Sequence, residues 1–209
     1  MNDLLMAALL ASVLLMFFVI SNALHSRATP FFLSRKVAHF GAGIVIAALP
    51  LRFESLLWPA ILAGGFLVML AATHRTELWH GFARPGRLSE LAFAFSVFVS
   101  IMVAWNLDPW LAVLPGLFMA FGDGVTGVVR YIAYRREVKG WWGTLACLNV
   151  CALLALLVVP YDIGFVGAVV FTVAEKYCGD VGLIKVDDNL AAPLAALAVM
   201  APLYYFIGG

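Results

Sequence analysis

The chain has 209 residues, 64% of them hydrophobic and only 12% charged, with a formal net charge of +1. Soluble domains carry about a quarter charged residues, so a chain this short and this apolar needs lipid to cover what its own core cannot. The composition excludes a water-soluble domain, the near-zero charge points to no partner by itself, and Cys147, Cys151 and Cys178 lack metal-ligand spacing and read as small hydrophobes.

Apolar runs of bilayer-crossing length, roughly 17–25 residues, follow one another along the chain. They lie at Leu4–Leu24, Val37–Leu51, Leu56–Thr73, Leu88–Leu107, Trp110–Tyr131, Thr144–Val159, Ile163–Cys178 and Leu190–Ile207. The first is too long for a signal-peptide core and reads as a retained helix. The second and seventh look short. Connections are short, and no soluble domain, linker or internal repeat is visible. The expectation is one all-α, polytopic membrane domain over residues 1–209, with about eight transmembrane helices.

Charge orients this bundle. With eight helices, loops one, three, five and seven share a side. These loops and the adjoining helix ends carry twelve of the thirteen basic residues: Arg27, Arg35, Lys36, Arg75, Arg84, Arg87, Arg130, Arg135, Arg136, Lys139, Lys176 and Lys185. Only Arg52 falls opposite. The positive-inside rule makes the basic loops cytoplasmic and both termini non-cytoplasmic. Eight of the twelve acids (Glu77, Glu90, Asp123, Glu137, Glu175, Asp180, Asp187 and Asp188) and all four histidines gather on the same half, which the rule does not require. A mixed-sign surface there suits a soluble, charged partner.

Four blocks stand out. In the first, Ser34-Arg35-Lys36-Val37-Ala38-His39, Arg35 and His39 are four apart and share a helix face at the membrane boundary. Snorkelling anchors would account for Arg35 and Lys36, but His39 lies a turn deeper, where no anchor is needed.

In the second, Phe121-Gly122-Asp123-Gly124 with Gly127, an acid sits inside an apolar run, where it costs a few kcal/mol. The glycines admit close packing, and the GxGxxG spelling carries no Rossmann meaning without a βαβ pattern. Packing does not explain the acid, and Asp123 reads as a metal ligand.

In the third, Lys139-Gly140-Trp141-Trp142-Gly143-Thr144, the tryptophans suit an interfacial belt. Lys139, Gly143 and Thr144 bracket a turn whose N–H groups could meet a phosphate at the next helix start. In the fourth, Glu175 precedes Asp187-Asp188-Asn189. Asp188 would serve as a helix cap, but a cap needs one acid, and here there are two; several oxygen ligands suit Mg²⁺. Carboxylates for a metal, cations for phosphate and a membrane boundary are the parts of phosphoryl or nucleotidyl transfer to a lipid.

These blocks, in this order, resemble the CTP-dependent lipid kinase family, which includes dolichol, polyprenol and phytol kinases and CTP-using diacylglycerol kinases. The matching stretches are Ser34 to His39, Phe121 to Gly124 with Gly127, Lys139 to Thr144, and Glu175 with Asp187-Asp188-Asn189-Leu190 and Pro193. Glu90 matches a further acidic position more loosely. Gly140 and Trp142 depart from the family's serine and its small or acidic residue, so no acidic role transfers there.

The resemblance implies Mg²⁺-dependent transfer of the γ-phosphoryl group of CTP to an isoprenoid alcohol or diacylglycerol, at a cytoplasm-facing site in the cell membrane if the source is prokaryotic. Asp123, His39 and Asp188 would be catalytic. Arg35, Lys36, Gly122, Gly124, Lys139, Gly143 and Thr144 would bind nucleotide phosphate. Asp123, Glu175, Asp187, Asp188 and Asn189 would hold the metal. Partners would be CTP, the lipid alcohol and the bilayer, with no nucleic acid and with room for a homo-oligomer. A CDP-lipid synthase is the alternative enzyme, and a small ion- or proton-coupled transporter the alternative from another class.

Overall fold

A computed structural model describes residues 2–27, 29–76, 78–83, 88–135, 139–179, 184 and 186–208. Of the charged loop residues named above, Glu77, Arg84, Arg87, Arg136, Glu137, Asp180 and Lys185 lie outside the described residues.

The described chain is all helical apart from one isolated bridge between Cys178 and Ile184. Its eight helices are α1 (Asp3–Ser26), α2 (Phe31–Arg52), α3 (Leu57–Thr73), α4 (Ser89–Ala104), α5 (Pro109–Tyr134), α6 (Trp141–Val158), α7 (Tyr161–Tyr177) and α8 (Asp188–Ile207). Five of them, α1, α2, α5, α6 and α8, are long and apolar enough to cross a membrane; α3 and α4 are shorter apolar helices. Helix is the expected answer in a low-dielectric setting, because it satisfies every backbone N–H and C=O within one segment.

Three boundaries differ from the hydropathy reading. α2 starts at Phe31, immediately after Pro30, rather than at Val37, and is 22 residues long rather than short. Arg35 and Lys36 depress the local hydropathy, whereas the proline marks the true start. α6 starts at Trp141 rather than Thr144, so Thr144 lies within its first turn. α4 stops at Ala104, short of Leu107.

The first half of α5 is the centre of the bundle. Every residue from Leu111 to Ala120 is buried, on all faces of the helix, as expected of a helix that is apolar all round. It starts sharply: Pro109 needs no N–H partner at that position, and Asp108 Oδ1 accepts from Leu111 N at 2.8 Å. Helices α2, α4, α6 and α8 pack against it, while α1 lies along α2, α3 along α4, and α7 between α6 and α8. The exposed apolar outer surface includes Leu9, Val68, Leu153, Leu157 and Phe206.

Two features break the regularity of α5. Pro115 removes one helix hydrogen bond, and Phe118–Asp123 then winds as a π-helix. Such a stretch adds a residue to the turn and re-aims the side chains after it, and π segments concentrate at functional sites. Asp123 is its last residue.

Packing at the centre sets a checkable contrast. Ala112, 1% exposed, faces neighbours on every side, and Val68, 68% exposed, faces outward. Ala112→Leu should lower the thermal unfolding midpoint in detergent, a cost of about 1–3 kcal/mol. Val68→Leu should stay within about 0.5 kcal/mol of the parent. Equal effects would contradict the central placement of α5.

Candidate functional site

The polar residues come together at one end of the bundle. The start of α2, the later half of α5, the starts of α4, α6 and α8 and the end of α7 meet there through ion pairs and hydrogen bonds. The opposite end has simpler ties: Tyr204 donates to Asp108 Oδ2 at 3.0 Å, and Trp105 Nε1 to the Glu54 carbonyl at 3.3 Å.

Asp123 is paired with Lys36. The lysine Nζ lies 2.6 Å from Oδ2 and 3.0 Å from the Asp123 carbonyl, so one ammonium serves both the carboxylate and the backbone at the end of the π segment. Gly127 makes this possible. A Cβ there would lie 2.7 Å from Lys36 Cε, so a larger residue would make the lysine stem shift from its present course across α5.

The other two glycines of the motif serve packing. The space at Gly122 is filled by Cys151 Sγ, and that at Gly124 by the Phe40 ring at 3.1 Å; both glycines are buried. Small-residue packing thus accounts for both glycines, and the acid between them is the residue that pairs with Lys36. Cys147, Cys151 and Cys178 are all buried and free.

A second knot joins α5, α6, α7 and α8. Arg130 grips Glu175 with both guanidinium nitrogens, Nη1 to Oε1 at 2.9 Å and Nη2 to Oε2 at 3.0 Å, and Glu175 is 1% exposed. Lys139 Nζ donates to the carbonyls of Glu175 and Cys178, the latter at 2.7 Å, and so closes the C-terminus of α7. The same ammonium reaches Asp188 Oδ2 at 2.6 Å and Glu175 Oε1 at 3.6 Å.

Gly143 leaves room for Arg130, whose Cγ would lie 2.6 Å from a Cβ at that position. At the start of α6, Trp142 N donates to the Tyr134 hydroxyl at 3.3 Å. Thr144 Oγ1 donates back to the Gly140 carbonyl at 3.3 Å. The hydroxyl of Thr144 is therefore turned to its own helix.

The two adjacent acids at the mouth of α8 divide the work. Asp187 is the cap: Oδ1 accepts from Asn189 N at 2.9 Å, and Oδ2 accepts from Ser89 Oγ at 2.6 Å, which ties the start of α4 to the start of α8. Asp188 turns instead to Lys139. Gly179, with φ +89°, adopts a conformation that favours glycine, and a Cβ there would meet Asp188 Oδ2 at 2.9 Å. Asn189 is buried just behind.

Arg35 lies at 3.8 Å from Glu90 on α4. One turn deeper, His39 is 4% exposed, stacks on Phe93 with ring centroids 5.3 Å apart, and has a buried Nδ1 with no hydrogen-bond partner among the described residues.

These groups are electrically one site. His39 lies within range of the charges on Arg35, Lys36 and Asp123, and Asp188 within range of Asp123 and Glu175. Among the described residues, no three His, Cys, Asp or Glu side chains converge on a point that could hold an ion. Each acid is instead matched to a cation or a hydrogen-bond donor.

Sequence reasoning passed over three contributors: Arg130, Ser89 and Gly179. Arg130 was visible only as one of many basic loop residues. Its role depends on Glu175, which lies 45 positions away in the chain.

Breaking a buried ion pair from one side strands the other charge, at a cost of roughly 3–5 kcal/mol. Glu175→Gln should therefore lower the unfolding midpoint strongly, and Glu175→Gln with Arg130→Gln should cost less than the sum of the two single changes. A silent Glu175→Gln variant would remove this pair from the frame.

No family model, curated protein or solved structure matches the chain.

Proposed function

We propose that the chain is an integral membrane lipid kinase that transfers the γ-phosphoryl group of CTP to the hydroxyl of a lipid alcohol. The observation that carries this reading is the pairing of Lys36 with Asp123 and of Lys139 with Asp188 at one mouth of the bundle. A nucleoside triphosphate with its metal brings anions for the lysines and a cation for the carboxylates. Both pairs can then exchange partners without leaving a charge unpaired in a low-dielectric setting, where an unpaired charge is costly. The preference for CTP over other nucleotides rests on the sequence resemblance alone.

Roles follow from position. Lys36, Lys139 and Arg35 bind phosphate oxygens. Asp123 and Asp188 would hold Mg²⁺, which when bound neutralises charge on the phosphates. Glu175 and Asp187 hold the frame, the first by fixing Arg130 and Lys139, the second by capping α8 and tying it to α4. The alcohol oxygen attacks the γ-phosphorus, an O–P bond forms, and the bond from that phosphorus to the bridging oxygen breaks with its electron pair leaving on CDP. The hydroxyl proton passes to His39, whose buried Nδ1 has no hydrogen-bond partner among the described residues. Phosphoryl transfer asks little covalent chemistry of a protein and much positioning and charge neutralisation, and this site is rich in both.

Purified protein incubated with labelled CTP, Mg²⁺ and a panel of isoprenoid alcohols, diacylglycerol and phosphatidic acid should yield an alcohol phosphate and CDP. A CDP-lipid with pyrophosphate would identify a cytidylyltransferase instead, and no turnover with any acceptor would overturn both. Asp123→Asn and Asp188→Asn should each lower turnover by about 10²-fold or more with the fold retained. Lys139→Ala should weaken CTP use without altering which alcohol is chosen.

On this reading all eight helices cross the bilayer, the site faces the cytoplasm, and both termini lie outside. Tags at either terminus should be inaccessible from the cytoplasm in intact cells, while a cysteine replacing Arg135 should be labelled from that side. Cytoplasmic termini would contradict the layout.

A further inference from the structure

The segment 78–83, between α3 and α4, belongs to none of the four blocks, yet it is bolted to the charged mouth. It forms a closed turn, in which the Trp79 carbonyl accepts from Phe82 N at 3.1 Å and from Ala83 N at 2.8 Å. Asn22, in the last turns of α1, grips this turn on both sides. Its Nδ2 donates to the Leu78 carbonyl at 2.6 Å, and its Oδ1 accepts from Gly81 N at 2.8 Å. A carbonyl on one side and an N–H on the other fix which way the amide points. Gly81 meets α1 backbone to backbone: a Cβ there would come within 2.5 Å of the Ser21 carbonyl and of Asn22 N. Phe82 is buried against Phe18, with ring centroids 4.4 Å apart.

The hold passes to α2 through Ser34. Its hydroxyl donates to the Gly81 carbonyl at 2.6 Å, and its carbonyl accepts from the Ser21 hydroxyl at 2.7 Å. Both serines are fully buried. Pro30 gives α2 no side-chain cap, so polar ties to the start of this helix come from its neighbours.

We propose that Asn22 and Ser34 are positioning residues for Lys36: with the turn at 78–83, they set the rotation of α2 that places the lysine on Asp123. The consequence for turnover rests on the kinase reading; the placement does not. Lys36 follows Ser34 by two residues, roughly 200° round an α-helix. The face of α2 that the turn grips is therefore opposite the face that meets α5, and a rotation that released one would swing the other. Lys36 has little slack, because its Nζ reaches both Oδ2 and the carbonyl of Asp123 while its stem crosses α5 at Gly127. Apolar packing of α1 on α2 is non-directional and does not by itself fix a rotation. Hydrogen bonds are directional, and these two buried hydroxyls supply them.

The test uses the full chain in detergent, without nucleotide, and an acetylating succinimidyl ester as the probe of lysine access, read by mass spectrometry. Lys139 is the internal control. Like Lys36, its side chain is 13% exposed and its Nζ lies 2.6 Å from an aspartate oxygen. Asn22→Leu removes both bonds to the turn at nearly constant size, and Ser34→Ala removes only the hydroxyl. Each should raise the acetylation rate of Lys36 about tenfold, the worth of one net hydrogen bond, and leave that of Lys139 unchanged. Gly81→Ala pushes the turn away from its other side and should do the same; combined with Asn22→Leu it should add little, because both break one contact.

Equal rises at Lys36 and Lys139 would show general loosening, and an unchanged Lys36 rate in all three single variants would show that the turn does not place it; either result overturns the proposal. Given CTP, Mg²⁺ and a lipid alcohol, the same variants should raise KM for CTP about tenfold and hold kcat within about twofold, as expected for a weakened nucleotide contact. A parent chain without turnover, but with the rise at Lys36 alone in its variants, would sink the kinase reading and leave the positioning role standing. Turnover in the parent without that rise would do the reverse.

Discussion

Charge in a medium that cannot solvate it is the constraint on which the rest of this structure depends. The bundle places Lys36, Arg130, Lys139, Asp123, Glu175 and Asp188 on helices or helix ends in an apolar chain, and it answers the cost by pairing them. The pairs are also the main cross-links at that end of the bundle. Lys36 with Asp123 joins α2 to α5, Arg130 with Glu175 joins α5 to α7, and Lys139 joins the approach to α6 with α7 and α8. Paired in this way, each cation and each carboxylate is matched without help from solvent.

The backbone is arranged around these pairs. The π segment ending at Asp123 turns the acid toward Lys36, and Gly127 lets the lysine stem cross. Gly143 lets Arg130 pass to Glu175, and Gly179 lets the loop after α7 come up against Asp188. Each of these glycines has a neighbour where a Cβ would be, so the small residue and the long cation are one device. The first half of the central helix is meanwhile buried on every face, and Asp123 follows directly after it.

Much of the architecture was legible in the sequence because lipid imposes a simple rule: long apolar runs become helices. The eight runs and the gathering of charge at one end both followed from it. The start of α2 was misread because Arg35 and Lys36 look like loop residues to a hydropathy count, although Pro30 announces the helix. The start of α6 was misread because Trp141 and Trp142 look like a belt outside the helix, whereas they are its first turn. The partners of the charged residues were not legible. Lys36 and Asp123 are 87 positions apart and Lys139 and Asp188 are 49 apart, and nothing local in a sequence specifies such pairs. Since one cap needs one acid, the two neighbouring acids had to differ in role, but the sequence put the cap at Asp188, whereas Asp187 is the cap, accepting from Asn189 N and from the Ser89 hydroxyl on α4.

The central claim is that segments far apart in the chain form one site for a metal-bound nucleoside triphosphate. Hydrogen–deuterium exchange of the purified protein in micelles, with and without Mg²⁺ and CTP, tests it most directly. The account predicts that protection rises together in peptides covering 31–40, 120–130, 139–145 and 186–191, requires both metal and nucleotide, and is lost in the Asp123→Asn protein. Unchanged exchange in all four segments at saturating Mg²⁺ and CTP, or protection confined to other helices, would contradict it.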